Sequence, residues 1–343
     1  MPAPFRIKLQ ARPEDLGSPV PERPGAETPA NPGDEFEPAY LGLHQTGELK
    51  TRSEILWGMM AECRLCPREC GVNRLRGERG ICSAPGPRLV VSSYGAHFGE
   101  ERPLVGAGGS GTIFFSHCSL RCVFCQNWEI SIAGQGIEQT VEDLADMMLD
   151  LQDSGCHNIN VVTPTHFSAH ILKALDHAAA RGLRLPLVYN TSGWERLEIL
   201  ALLDGIVDIY MPDFKYCTAD MAAQYSSGAE YYPELAAQAI LEMHRQVGAA
   251  RYTEGGIMQR GLIIRHLVLP NNVSGSEKIM EWIALHLPKD TFVNIMAQYH
   301  PDYKAYDIPE LSRKVTAREY KAVVERAKQL GLVNLEIQGP WLL

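Results

Sequence analysis

Short apolar runs and amphipathic helical segments alternate through the last two thirds of the chain. The runs are rich in β-branched and aromatic residues and lie near residues 112–116, 158–163, 186–190, 206–211, 262–268 and 291–297. The helical segments lie near residues 141–153, 168–181, 194–203, 233–247, 275–287 and 316–330. Because strands that alternate with helices usually pair in parallel through right-handed crossovers, the pattern predicts an α/β fold with a parallel sheet.

Three closely spaced cysteines follow the first apolar run. Cys118, Cys122 and Cys125 come directly after residues 111–116, at the carboxyl end of the first predicted strand. A tight group of soft thiolates suits an iron–sulfur cluster, and three ligands leave one iron of a [4Fe-4S] cube open to another molecule. The alternatives are a zinc site or three core cysteines. Zinc usually takes four nitrogen or sulfur ligands, and apart from the adjacent His117 no fourth ligand lies at a suitable offset.

The spacing Cys-x3-Cys-x2-Cys, with the aromatic Phe124 before the last cysteine, resembles the radical S-adenosylmethionine (radical SAM) superfamily. Residues 116–127 are most similar to pyruvate formate-lyase activating enzymes and their poorly characterised iron–sulfur homologues. The resemblance implies a partial (β/α)6 barrel of the TIM type over residues 106–343, with the site at the carboxyl ends of the strands. It also implies that a flavodoxin- or ferredoxin-like donor reduces the cluster. SAM on the open iron is then cleaved to methionine and a 5′-deoxyadenosyl radical, which abstracts hydrogen from a substrate.

A second group of four cysteines lies in residues 46–105, which we predict to be a metal-binding extension. Its members, separated by proline and glycine, are Cys63, Cys66, Cys70 and Cys82. Four thiolates within such a short segment suit either a structural zinc site or an auxiliary [4Fe-4S] cluster. Four ordinary buried cysteines are the alternative. We favour iron–sulfur, because a protein of this kind is already supplied with clusters.

Charged residues at the ends of two predicted strands are candidate SAM contacts. Asp213 and Lys215 alternate onto one side of the fourth strand, and Asp-x-Lys is similar to the activase motif that binds the methionine moiety. Arg265 lies within an apolar run, where a charge needs a partner, and activases use a matching arginine. Asn190 and Ser192 end the third strand, like family segments that approach the ribose and carboxylate.

Further candidates are weaker. Where many superfamily members carry Gly-Gly-Glu, this chain has Thr163, whose hydroxyl is a candidate SAM contact. Gln298 ends the sixth strand and is a candidate cofactor contact. Candidate substrate contacts are His166, Tyr299 and His300, although lone histidines are more often structural.

Composition limits the cellular location and the binding partners that we predict for this chain. Nine of the 22 prolines fall within the first 40 residues, so we predict an extended arm over residues 1–45. A net charge of −9 argues against a nucleic-acid partner. No apolar run is long enough to span a bilayer and the first residues contain no signal-peptide core, so we expect a cytoplasmic protein without a membrane partner. Because oxygen destroys exposed clusters, we expect a reducing or anaerobic setting.

The sequence does not identify the substrate. A small molecule or a peptide is one hypothesis. Another is a glycyl-radical partner enzyme activated by this chain, although many activases carry extra cysteines after the triad and this chain has none between Cys125 and Cys156. A non-catalytic iron–sulfur or zinc scaffold is a third hypothesis, and candidate SAM contacts on several strands argue against it.

Overall fold

The computed structural model describes residues 36–338. Its strands are β1 (Leu89–His97), β2 (Ser110–Phe115), β3 (Ile137–Gln139), β4 (Ile159–Val162), β5 (Leu187–Thr191), β6 (Ile209–Pro212), β7 (Arg251–Tyr252), β8 (Met258–Leu267), β9 (Phe292–Met296) and β10 (Leu335–Ile337). Its α-helices are α1 (Tyr40–Thr46), α2 (Glu48–Gly58), α3 (Arg102–Val105), α4 (Trp128–Ser131), α5 (Val141–Asp153), α6 (Ser168–Ala180), α7 (Leu197–Leu203), α8 (Ala219–Tyr225), α9 (Tyr232–Val247), α10 (Ser276–His286) and α11 (Ala317–Gln329). None of the helices in this part of the chain combines the length and apolarity that crossing a bilayer requires.

Parallel pairing in chain order builds the sheet. The parallel pairs are β2–β4, β4–β5, β5–β6, β6–β8, β8–β9 and β9–β10. β1 pairs with β2 and β3 with β1, both antiparallel, and the short β7 pairs with β8. Within residues 36–338 the outer strands β3 and β10 do not pair with each other, so the sheet stays open. The predicted α/β fold and partial barrel are confirmed.

Most residues of the parallel strands β2, β4, β5, β6, β8 and β9 are buried, whereas the edge strand β10 is partly exposed. Every residue of β5 and β9 is buried. Most apolar side chains join one large core that includes residues of the sheet and of the helices. A separate apolar cluster comprises Leu104, Val188, Ile209, Met211, Met258, Ile263 and Phe292. Its strand members alternate with those of the large core, so we assign it to the concave side of the sheet.

Local sequence signals set the start of helix α5. The Thr140 hydroxyl accepts a hydrogen bond from the Asp143 amide at 3.1 Å, and the Asp143 carboxylate accepts one from the Thr140 amide at 2.8 Å. This capping box satisfies two amide groups at the start of α5. Leu144, Met148 and Leu151 then recur on one buried face. The helix therefore begins where its sequence pattern begins.

The amino-terminal segment differs from the prediction. Residues 1–35 of the predicted arm lie outside the described residues. Residues 36–45 lead into α1 instead of staying extended. They are held by the Tyr40 hydroxyl, which donates to the Leu185 carbonyl at 3.0 Å, and by the Ala39 amide, which donates to Asp208 at 2.9 Å. The extension predicted over 46–105 includes β1, whose hydrogen bonds to β2 make it part of the same sheet.

Candidate functional site

The first cysteine group lies in the loop between β2 and α4. His117 and Arg121 adopt φ angles of 71° and 56°, in the left-handed region that turns the chain sharply. The Cys125 amide donates to the Cys122 carbonyl at 3.3 Å, which closes a tight turn around the last two cysteines. Cys118, Cys122 and Cys125 are therefore presented by one compact loop at the carboxyl end of β2.

Polar groups approach two of these sulfur atoms. The Ser226 hydroxyl donates to the Cys122 sulfur at 3.2 Å, and the Ser131 hydroxyl lies 3.0 Å from the Cys125 sulfur. Burial raises the pKa of Cys122 to about 12, and the nearby Lys215 charge opposes that rise only in part. Burial thus disfavours the thiolate form in this loop, and the cations of a metal cluster would offset that effect.

Three charged side chains lie at the carboxyl ends of neighbouring strands. Asp213 follows β6 and is bridged to Arg265 of β8 in parallel register. Its two carboxylate oxygens accept hydrogen bonds from Lys215 at 2.6 Å and from Arg265 at 2.9 Å. Burial raises the pKa of Asp213, but the two cations outweigh burial and hold that pKa below its usual value. The structure thus brings together the three predicted SAM contacts, and Lys215 also acts on the thiols of Cys118 and Cys122.

The period of the strands explains this placement. Four inward apolar residues are each followed two positions later by a polar one: Val188 by Asn190, Met211 by Asp213, Ile263 by Arg265 and Phe292 by Asn294. Because side chains two apart share one face of a strand, the polar residues form a layer above the apolar cluster, towards the carboxyl ends.

Three further predicted cofactor contacts lie near this layer. Thr163 has a φ of 58°, and its amide donates to the Asn190 carbonyl at 2.9 Å, so the two residues are adjacent at the strand ends. The Ser192 carbonyl accepts from the Tyr232 hydroxyl at 2.8 Å. Ser192 does not cap a helix, because α7 begins five residues later with Arg196 at its N-cap.

Phe124 and Tyr299, two of the predicted contacts, lie in the core next to the loop that carries Cys118, Cys122 and Cys125. Phe124 packs against Tyr216 and Tyr299 with ring centroids 6.2 and 6.0 Å apart. The Tyr299 hydroxyl donates to the Leu311 carbonyl at 2.6 Å, and its side chain is fully buried. Tyr299 is therefore directed away from the polar layer, whereas Phe124 positions the loop that carries Cys125.

The remaining predicted contacts are not brought to the charged residues. Gln298 is exposed and accepts from the Gln338 amide at 2.8 Å, and His300 is exposed next to the Pro301 carbonyl. His166 is buried with its ring 2.9 Å from the Ser116 carbonyl, and burial lowers its pKa to about 3. It is therefore neutral, and its ring bonds the end of β2 just before the cysteine loop.

The second cysteine group lies in a folded loop that precedes β1. The Gly71 amide donates to the Cys63 carbonyl at 3.1 Å, so the segment from Cys63 to Cys70 turns back on itself. A Cβ atom at Gly80 would lie only 2.7 Å from the Cys70 sulfur, so this close approach requires glycine. Among residues 36–338, however, no three His, Cys, Asp or Glu side chains are gathered closely enough to hold a metal ion, and this applies to the first cysteine group as well as to the second.

A fully buried arginine lies beside this group. Arg74 donates to the Pro85 carbonyl at 2.6 Å and to the His166 carbonyl at 2.7 Å, and it lies 4.0 Å from the Cys63 sulfur. Among the described residues it has no carboxylate partner within ion-pair distance. A buried charge requires compensation, and the Arg74 charge lowers the pKa of the Cys82 thiol against the larger effect of burial. An anionic tetrathiolate centre would supply the missing negative charge.

A second arginine joins the two cysteine loops. Arg68 belongs to the second group's loop, and its guanidinium donates to the carbonyls of Ser119 and Leu120 in the first loop at 2.9 and 3.2 Å. It also donates to the Ser226 carbonyl at 2.9 Å. The relative position of the two loops is therefore set by one side chain.

Several polar residues of the barrel interior were missed by sequence reasoning. Glu100 and Glu101 precede α3, and Asn160 and Asn294 lie in buried strands. The two asparagines carry the same signal as Arg265, a polar side chain inside an apolar run. The two glutamates carry no such signal, because the segment before α3 has no strand period.

Glu195 was also missed, and it gives the chain a pH dependence. It is buried, and the Thr165 and Thr191 hydroxyls donate to one carboxylate oxygen. Burial raises its pKa to about 7.

The stability that the Glu195 carboxyl contributes through its raised pKa is present below about pH 4.5 and is lost as pH rises through about 7. We expect the difference in unfolding free energy between Glu195→Gln and the native chain to shift in favour of the variant by about 2 kcal/mol between pH 5 and pH 8. Urea unfolding at pH 5 and pH 8 measures this difference. A shift no larger than that of the exposed control variant Glu198→Gln would contradict the prediction.

A family model and several known proteins match this chain. The family model described as the radical SAM superfamily matches residues 112–220. An uncharacterised protein of Methanocaldococcus jannaschii is 33% identical over 312 residues, covering 87% of this chain and 84% of the relative. Two solved structures match less closely. A radical SAM methyltransferase from Sphaerobacter thermophilus has 12% identity and a TM-score of 0.45 over 66% of each chain. Methylornithine synthase has 10% identity and a TM-score of 0.43 over 86% of this chain and 84% of the other. The chain belongs to the radical SAM superfamily of enzymes.

Proposed function

We propose that Cys118, Cys122 and Cys125 hold a [4Fe-4S] cluster and that Asp213, Lys215 and Arg265 hold SAM beside it. The observation that carries this proposal is the position of Lys215, which bonds Asp213 and also acts on the Cys122 thiol. When bound, the cluster supplies the electron that cleaves SAM and generates a 5′-deoxyadenosyl radical for hydrogen abstraction.

The chain's own residues bind and orient in this proposal. Lys215 and Arg265 present N–H donors that suit the SAM carboxylate, and Asp213 holds both cations in place. The inward side chain of Asn190 offers an amide for the ribose hydroxyls. The apolar cluster below the layer excludes water from one side, which strengthens these charged contacts.

Anaerobic reconstitution tests the proposal. The chain loaded with iron and sulfide is expected to give the EPR spectrum of a reduced [4Fe-4S] cluster, and that spectrum should change when SAM is added. With dithionite, 5′-deoxyadenosine should accumulate. A loaded cluster that neither responds to SAM nor forms 5′-deoxyadenosine would contradict the proposal and favour the non-catalytic scaffold.

We infer that the second cysteine group holds a tetrathiolate centre, and we favour an auxiliary [4Fe-4S] cluster over zinc. Arg74 supports this inference, because a buried guanidinium without a carboxylate fits an anionic centre. Iron and zinc counts on the variant with alanine at Cys63, Cys66, Cys70 and Cys82 distinguish the two metals. Loss of about four irons per chain identifies a cluster, and loss of one zinc identifies a zinc site.

Replacing Arg74 by methionine is expected to lower occupancy of this second centre to less than about half. The positive charge that compensates the centre is removed, and two carbonyls lose their donors. Metal content per chain measures the effect, and Arg76→Met, at an exposed position two residues away, serves as control. Full metal occupancy in Arg74→Met would contradict the compensation argument.

We propose a flavodoxin- or ferredoxin-like protein as the electron donor, because cleavage needs one electron at low potential. Reduction of the loaded chain by such a protein, in place of dithionite, is the test. A glycyl-radical partner remains the second candidate substrate, and it rests on the Asp213-x-Lys215 similarity.

A further inference from the structure

An acidic pair enters the barrel interior beside the proposed SAM layer. Glu101 is 4% exposed and forms the N-cap of α3, where the chain passes across the interior before β2. One of its oxygens accepts from the Asn294 amide at 3.0 Å. Arg265 lies 3.9 Å from the same oxygen. Glu101 therefore borders the residues that we assign to SAM and joins the Asp213 network only through Arg265.

The polar groups around this pair lack donors. Among the described residues, the second Glu101 oxygen and the side-chain oxygens of Asn160 and Asn294 have no donor, apart from a Glu100–Glu101 side-chain hydrogen bond that forms when Glu100 is protonated. Asn160 is fully buried and Asn294 is 6% exposed. All of these atoms are hydrogen-bond acceptors, so the surroundings of the pair suit a ligand group that carries several N–H donors.

Charge points to the same kind of ligand. Glu100 lies beside Glu101 and Asn160, and burial together with the Glu101 charge raises its pKa to about 7. The nearest cation, Arg265, is already bonded to Asp213 at 2.9 Å. A second positive charge at the pair would therefore favour the ionised form of Glu100, and besides Arg265 the described residues place no other cation close to the two side chains.

We propose that Glu100 and Glu101 bind a cationic group of the substrate, an ammonium or guanidinium, with Asn160 and Asn294 completing the contacts. This proposal rests on the proposed function, because the bound cation would hold the rest of the substrate next to SAM. The class of substrate is thus an organic amine or guanidine, or a peptide that presents a lysine or arginine side chain.

Calorimetric titration of the reconstituted full chain, saturated with SAM, tests the proposal. The probes are butylammonium and butylguanidinium, with butanol and butyrate as neutral and anionic probes of matched length. Both cations are expected to bind saturably, whereas butanol and butyrate are expected not to bind. Glu101→Gln and, separately, Glu100→Gln should weaken cation binding about ten-fold or more. The affinity for SAM should change less than about two-fold in both variants.

The controls separate the possible failures. Glu138→Gln, at an exposed position in β3, should bind the cations like the native chain. If neither cation binds, or if both glutamine variants bind them unchanged, the proposal is overturned. If the affinity for SAM falls together with cation binding, the pair serves SAM and the proposal is equally overturned. Absence of 5′-deoxyadenosine from the native chain would instead overturn the proposed function, whatever the cation titration shows.

Discussion

Replacing Cys122 by alanine is expected to abolish SAM cleavage while leaving the second metal centre occupied. A cube held by two protein thiolates is poorly retained, and Cys122 is also the sulfur that the Ser226 hydroxyl and the Lys215 charge both approach. Its loss therefore removes a ligand and leaves a buried lysine facing less negative charge. Iron and sulfide content should fall by about one cluster per chain, and 5′-deoxyadenosine should fall below detection.

The matched control for this variant is Cys156→Ala. Cys156 is buried, belongs to neither cysteine group, and its amide donates to the Leu151 carbonyl at the end of α5. Its truncation should cost stability and leave iron content unchanged. If Cys122→Ala kept its SAM-responsive EPR spectrum, the triad would not be the cluster site.

Replacing Asp213 by alanine is expected to cost about 3–5 kcal/mol of unfolding free energy, because it leaves two largely buried cations without their shared partner. Asp213 is 8% exposed, and both of its oxygens are bonded, one to Lys215 and one to Arg265. The affinity for SAM should also fall, since Lys215 and Arg265 would repel each other and lose their positions. Urea unfolding and SAM titration measure the two effects.

A surface ion pair provides the comparison. Asp204 pairs with Arg245 at 2.6 Å, with both side chains at least 40% exposed. Exposed pairs contribute about 0–1 kcal/mol, so Asp204→Ala should be nearly neutral. An Asp213→Ala variant as stable as Asp204→Ala would show that the Asp213 network is solvated and does not organise the site.

The strands, the helices and the charged strand ends could be predicted because their signals are local. Alternation of apolar runs and helical segments reports the hydrophobic face of each element. Arg265 inside an apolar run and Asp213 two residues before Lys215 indicate an inward polar position by the same period. Tyr299 and His166 carry similar local signals, and yet the Tyr299 hydroxyl and one ring nitrogen of His166 bond backbone carbonyls in the core. A local pattern cannot tell a cofactor contact from a buried group that bonds the backbone.

By itself, the sequence determined the α/β architecture, the two cysteine groups and the membership of the radical SAM superfamily. Only the tertiary structure placed Glu100 and Glu101 inside the barrel, Arg74 beside Cys63, and Arg68 between the two cysteine loops. These contacts join segments whose approach depends on how loops close and how strands register over long sequence separations. Neither residue spacing nor composition encodes that approach, so these buried charged groups and their neighbours became visible only in the folded chain.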